Sequence, residues 1–273
     1  MSETYSDPVA QLLTLGHPDD GEDLGTPRWF DYLALGLAAK HVPELVRLAL
    51  DADTYLNDSE SPAVWASLHA WRALGQLRAE SAIDPLLQLL DRVTDDDWIQ
   101  MDLPKVFGKI GPAAIPGLQD FLADAGNGEW SRITAIDGLI EIVKEFPETR
   151  ERVIDILTDQ LRHFAEQDRG VNAFLIARLC NMRAVESAGV IEQAFAAGNV
   201  DLSVLGDWEE AQILLGLIEE RVTPWPNFFQ LEYGSLDLLG GQGIGNSAPR
   251  KASKEKKAKR KQVKVSRKRN RKR

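Results

Sequence analysis

The sequence predicts an all-α chain built as a short solenoid of helical hairpins. Three observations carry this reading. Apolar residues recur at steps of three or four rather than two. The same two-helix unit is written twice between Ser61 and Ala123. A hairpin of this size cannot bury its own apolar faces, so it requires a neighbour like itself. In the first copy Val64, Leu68, Trp71, Leu74 and Leu77 mark one helix, and Ile83, Leu86, Leu87, Leu90 and Val93 mark its mate. In the second, Val106, Phe107 and Ile110 close one helix and Ile115, Leu118, Phe121 and Leu122 stripe the next. Gly75 and Gly108, shortly before Pro85 and Pro116, are read as the corresponding interhelix turns.

In chain order, residues 1–25 form an N-terminal extension. Its one apolar run, Val9 to Leu15, is expected as a small helix laid across the first hairpin, with the acidic loop HPDDGEDLG behind it. Thr26 followed by Pro27 reads as a helix start, because threonine caps first-turn amides and proline lacks only an N–H that the first turn leaves unpaired. Trp29, Phe30, Leu33 and Leu37 continue that helix, and Pro43, Leu45, Leu48 and Ala49 make its mate. In the repeat after Asp97, Pro104 is expected to delay the regular helix until after Asp102, since an interior proline removes a backbone hydrogen bond.

A fourth hairpin starts near Glu129 with Ile133, Ile136, Leu139, Ile140 and Val143, turns at FPETR and returns through Val153, Ile156, Leu157 and Leu161. A fifth uses Val171, Phe174, Leu175 and Leu179, turns at CNMR and returns through Val190, Ile191 and Phe195. Trp208 to Arg221 reads as a terminal capping helix after the loop AGNVDLSVLG. The second helices are expected to form the concave wall. The solenoid is thus placed at 26–221, and residues 222–240 form an aromatic strap whose Trp225, Phe228, Phe229 and Tyr233 should pack on the last repeat. Residues 241–273 make a flexible hinge and a basic disordered tail.

RALGQLRAESAIDPLLQLL and VFGKIGPAAIPGLQDFL resemble HEAT-like repeats of the kind first described in phycobilin lyases. The order of features from DPVAQLLTLG to GNVDLSVLGDWEEAQ is similar to a family of largely uncharacterised bacterial HEAT-like proteins. The resemblance covers Thr26 to Glu220 and implies a HEAT-like alpha-alpha solenoid, an armadillo-like superhelix. Such architectures commonly present surfaces to protein partners, so a non-enzymatic binding scaffold is the first expectation. A phycobilin lyase or isomerase-like pigment-attachment enzyme is the alternative, although no lyase catalytic residue can be matched to this chain. Some HEAT-like enzymes hold di-iron through His-Glu pairs on successive repeats. His17, His41, His69 and His163 lie in different elements without such pairs, so no metal or cofactor is expected.

Other motifs read as structural. His69, near Trp65 and Arg72 by helical spacing, is expected to be a packing or surface residue. Cys180 occupies the interhelix position of Gly75 and Gly108 and is expected to be buried and inert. Asp95, Asp96, Asp97 and Asp102 lack the spacing and bend glycine of a calcium loop, leaving a solvated acidic loop. Gly240, Gly241, Gly243 and Gly245 are not followed by Gly-Lys-Ser/Thr, and no GxSxG elbow is present.

At 273 residues and 44% hydrophobic content the chain can bury a substantial core. Its N-terminus lacks the basic-then-apolar pattern of a signal peptide, and no apolar run has the length of a membrane span. One cysteine excludes an internal disulfide framework, and a cytoplasmic location follows.

The net charge of −10 conceals two opposite halves. Residues 250–273 carry fifteen bases against Glu255 alone, a balance of plus fourteen; seventeen bases and forty-one acids leave residues 1–249 at minus twenty-four. The bases are Arg250, Lys251, Lys254, Lys256, Lys257, Lys259, Arg260, Lys261, Lys264, Arg267, Lys268, Arg269, Arg271, Lys272 and Arg273. They are expected to bind polyanions diffusely, with RNA, the ribosome, DNA, an acidic protein or the acidic body itself as targets. No aromatic is interleaved among them, so single-strand stacking is not indicated. Many relatives in the narrower family end in a cysteine-rich zinc motif; this terminus has no cysteine, and zinc binding is not carried over.

Overall fold

The three-to-four-residue apolar period produces helices through most of the described chain. The computed structural model describes residues 5–18, 29–51, 61–92 and 97–224. Among them there are helices and no strand, so the fold is all-α, and the described elements belong to one compact unit, Met1–Pro226. The α-helices are α1 Val42–Ala49, α2 Ala66–Gln76, α3 Ile83–Arg92, α4 Asp97–Ile110, α5 Ile115–Ala123 and α6 Glu129–Glu145. They continue as α7 Arg150–Leu161, α8 Arg169–Asn181, α9 Ala188–Ala196, α10 Leu202–Leu205 and α11 Trp208–Leu215. A three-residue 3₁₀ turn leads into each of α1, α3, α5, α7 and α9.

These helices fall into two rows of contacts. In one, α2 packs on α4, α4 on α6, α6 on α8, and α8 on α11; in the other, α3 packs on α5, α5 on α7, and α7 on α9. Each helix of the first row also touches the second-row helix that precedes it, as α2 does α1 and α6 does α5. The first row is covered from several sides: in α2 every residue from Ala66 to Gly75 is buried. An apolar stripe therefore widens into a nearly continuous apolar surface, interrupted by single polar side chains.

Those polar residues hold the two rows together. Ser67 of α2 donates to the carbonyl of Leu48 in α1 (2.9 Å) and Trp71 Nε1 to that of Ala49 (2.9 Å). In α6, Ser131 donates to Leu90 of α3 (2.7 Å) and Arg132 Nε to Leu122 of α5 (2.9 Å). In α8, Asn172 donates to Phe164 after α7 (2.9 Å) and to Asn199 after α9 (2.6 Å). The last carbonyls of a helix have no partner within it, and a buried one left unpaired is costly. The first-row side chains supply those partners.

Close approach along the first row is set by glycine. A Cβ on Gly108 of α4 would lie 2.8 Å from Glu141 Cβ and 3.1 Å from its backbone carbonyl in α6. One on Gly75 of α2 would lie 3.4 Å from Val106 Cα in α4. Gly75, Gly108 and Cys180 thus sit inside the last turns of α2, α4 and α8, not in the interhelix turns. The turns are instead the 3₁₀ segments, and the glycines mark where backbones meet.

Three further expectations are corrected. The stretch from Trp29 to Leu37 is not an α-helix: a 3₁₀ turn, Leu33–Leu35, is closed by Gly36 at φ 87°. Gln76 of α2 pins the preceding backbone by accepting from Tyr32 N (3.0 Å) and donating to Phe30 O (2.8 Å). Thr26 and Pro27 lie outside the described residues. Pro104 does not delay its helix, since α4 begins at Asp97 and carries the proline inside it. Packing of α4 between α2 and α6 outweighs the local cost of about 3 kcal/mol. The capping helix ends at Leu215, where Gly216 takes φ 80° and turns its N–H back onto Gln212 and Ile213, and the loop before it contains α10.

The N-terminal run forms a 3₁₀ helix, Val9–Thr14, that buries Val9 and Leu12 and packs on α2 and on the turn before it. Ser6 donates through both N and Oγ to Glu44 of α1, each at 2.7 Å. This extension thereby spans α1 and α2, reaching the second pair of helices where the sequence suggested the first hairpin alone.

Glycine-mediated approach makes a directional prediction. Gly108→Ala should destabilise the protein by about 1–3 kcal/mol through overpacking against Glu141. Gly189→Ala in α9, where a Cβ meets nothing within 4 Å, should be neutral or stabilise by up to about 1 kcal/mol. Urea unfolding of the two variants checks the contrast.

Candidate functional site

α2 gathers a buried polar cluster. The Tyr32 hydroxyl lies 2.7 Å from His69 Nδ1, and His69 Nε2 lies 2.9 Å from the Gly16 carbonyl. A carbonyl can only accept, so Nε2 carries the proton and Nδ1 accepts from Tyr32. One turn on, Arg72 donates through Nε (3.1 Å) and Nη2 (2.9 Å) to Asp102 Oδ2 of α4, and its guanidinium stacks 5.5 Å from the Trp29 ring centroid. Burial pushes the Tyr32 hydroxyl well above its ordinary range, against the pull of Arg72. Burial likewise lowers the pKa of His69, with the charges of Arg72 and His17 adding to the effect against the hydrogen bond to Gly16. His69 is therefore neutral and tied on both sides, a packing residue as its spacing suggested. Asp102 is not part of an acidic loop but a buried partner joining α2 to α4; Asp95 and Asp96 lie outside the described residues.

Ion pairs recur between neighbours of the first row. Arg72–Asp102 joins α2 to α4, Lys109–Glu145 (2.6 Å) joins α4 to α6, and Asp137–Arg178 (2.6 Å) joins α6 to α8. Only the first is buried, so only its disruption is costly. The exposed ones contribute little individually but hold their side chains in place.

Above them runs an open groove of about 480 Å³ across α4, α6 and α8. Its apolar walls are Met101 and Pro104 of α4, Ile140 and Val143 of α6, and Met182. This groove is lined by first-row helices and by Met182 just after α8. Arg178 borders it with Nε on Asp137, and Lys144 borders it on Glu141 (2.6 Å). The Arg178 guanidinium also sits 5.6 Å from the Phe174 ring centroid, and Phe174 meets Trp130 edge-to-face at 6.1 Å. Met101 is 59% exposed and Trp130 51%. A continuous strip of aromatic, thioether and paired charged groups results.

Cys180 is buried, with burial pushing its thiol up to about 12, and its sulfur is 3.9 Å from the Ala211 carbonyl, so it is held as an inert thiol. Among the described residues no group of three His, Cys, Asp or Glu could hold a metal ion, and no helix is long and apolar enough to cross a membrane. The basic positions from Arg250 to Arg273, the glycine run and the four strap aromatics lie outside the described residues.

Residues 34–223 match the family described as "Protein of unknown function (DUF1186)". The chain belongs to the DUF1186 family. No curated protein and no solved structure matches it. The DUF1186 region runs from Ala34, inside the 3₁₀ turn Leu33–Leu35, to Thr223, so it contains His69, Arg72, Asp102 and the groove, leaves out Tyr32, Gly16 and Trp29, and stops short of the basic tail.

Sequence reasoning missed Arg72 with Asp102, and also the strip from Trp130 to Met101. An arginine inside the apolar run WASLHAWRALG was the available signal for the first, because a charge there needs a buried partner. The second had no signal, since it is assembled from three helices.

The neutral state of His69 fixes the sign of a pH effect. Its folded pKa lies below the unfolded value of about 6.5, so its contribution is fully present above that pH and is lost as pH falls below it, when unfolding takes up a proton. Unfolding midpoints at neutral and mildly acidic pH should fall further on acidification for the natural protein than for His69→Gln. An equal or larger fall in the variant would contradict the assignment.

Proposed function

We propose that the chain is a non-enzymatic binding scaffold, a HEAT-like solenoid of the cytoplasm that presents its first-row face to a protein partner. The observation that carries this reading is the groove across α4, α6 and α8, with Met101 and Trp130 exposed beside it. Exposed Met101 and Trp130 beside half-buried Phe174 and Arg178 match the composition of residues that anchor protein interfaces. Methionine adds adaptability to the shape of an incoming side chain.

The tail supports a second binding element through its sequence alone. Fifteen bases in residues 250–273 would act as a polyanion-binding arm for RNA, the ribosome or another polyanion.

Two experiments test these elements separately. Pull-down from native cytosol by the full chain should recover a protein partner that Met101→Lys or Trp130→Ser releases, while bilin attachment to acceptor proteins should not exceed a no-protein control. Turnover above that control would overturn the scaffold reading in favour of a pigment-attachment enzyme. A salt titration of RNA and DNA binding should show affinity for residues 1–273 that residues 1–249 lack. Its log–log slope should be near 0.9 per neutralised phosphate on duplex and roughly 0.7 on single strands. Equal binding by both lengths would remove the arm from the account.

A further inference from the structure

We infer that the strip along α6 and α8 takes a short basic segment with apolar anchors, its Lys or Arg side chains lying over Trp130 and its apolar side chains entering the groove at Met101 and Ile140. The inference rests on the scaffold reading and names the chemistry of its partner.

Charge complementarity favours a basic occupant. The Trp130 end of the strip is bordered by Glu129 at the first position of α6, Asp168 at the N-cap of α8 and Asp201 at the N-cap of α10. These carboxylates share one field, since the pKa of Glu129 is raised first by burial and then by the charges of Asp168 and Asp201. An incoming cation relieves that repulsion. Residues 1–249 carry a net minus twenty-four, which attracts a basic segment from a distance.

The aromatic pair at the same end is suited to cations. Tryptophan binds them best among the aromatic side chains, and Phe174, in contact with Trp130, already holds the Arg178 guanidinium at 5.6 Å. An acidic occupant is disfavoured because both cations lining the groove, Arg178 and Lys144, are already paired at 2.6 Å with Asp137 and Glu141. Dimensions point to a short linear segment: the seventeen residues of α6 span about 25 Å, the reach of roughly seven or eight extended residues.

The test measures binding of three fluorescein-labelled peptides of about eight residues to the full chain by polarisation: alternating Leu and Lys, alternating Leu and Glu, and alternating Ser and Lys. The Leu–Lys peptide should bind at least about tenfold more tightly than either of the others. Met101→Lys and Trp130→Ser should each weaken it by about tenfold or more, while Leu33→Ser, at an exposed apolar position near the N-terminus, should leave it unchanged. Unfolding midpoints of the variants confirm that the fold is retained. Equal binding of the Ser–Lys peptide reduces the effect to bulk charge and overturns the inference. Tighter binding of the Leu–Glu peptide reverses the assigned partner charge. Should no peptide bind while the full chain still recovers a protein through Met101 and Trp130, the basic-segment assignment fails and the scaffold reading stands.

Discussion

Buried helix ends are the constraint on which this structure depends. Each second-row helix finishes against a first-row helix, where water cannot reach all of its last carbonyls. Ser67, Ser131, Arg132 and Asn172 supply the missing donors from the opposite row. In the second half of the fold these bonds link into a chain. Arg132 reaches from Leu122 to Gln167, Gln167 passes to Asn172, and Asn172 closes on Phe164 and Asn199. Each bond sets the register of one helix against the next, which apolar packing alone leaves loosely specified.

With the second row fixed, the first row is free to be dense. Gly75 and Gly108 let α2, α4 and α6 approach to backbone contact, and an ion pair crosses each first-row interface from α2 to α8. The same arrangement leaves one face of α4, α6 and α8 uncovered, and the groove lies there. The binding role proposed above would use surface left over by this packing.

The helices from Ser61 onward were legible because their apolar residues repeat at helical spacing, and the turn expected at FPETR is the 3₁₀ segment Pro147–Thr149. The stretch from Trp29 to Leu37 was misread for the same reason: its apolar spacing imitates a helix, while Gly36 and the hydrogen bonds to Gln76 hold it otherwise. Gly75 and Gly108 were seen but assigned to turns, since glycine in a sequence signals a turn and a close approach equally well. Asp102 was grouped with its acidic neighbours because its partner, Arg72, is thirty residues away. The groove could not be read at all, being a property of three helices side by side.

The stability of Asn172→Leu tests the central claim most directly. Asn172 is fully buried, and its amide serves two backbone carbonyls while its oxygen accepts from Gln167. Leucine keeps the volume and removes all three bonds, so the account predicts a loss of about 2–4 kcal/mol in equilibrium urea unfolding. A loss below about 0.5 kcal/mol, the range of an ordinary surface substitution, would show that apolar packing holds the rows together without these clamps.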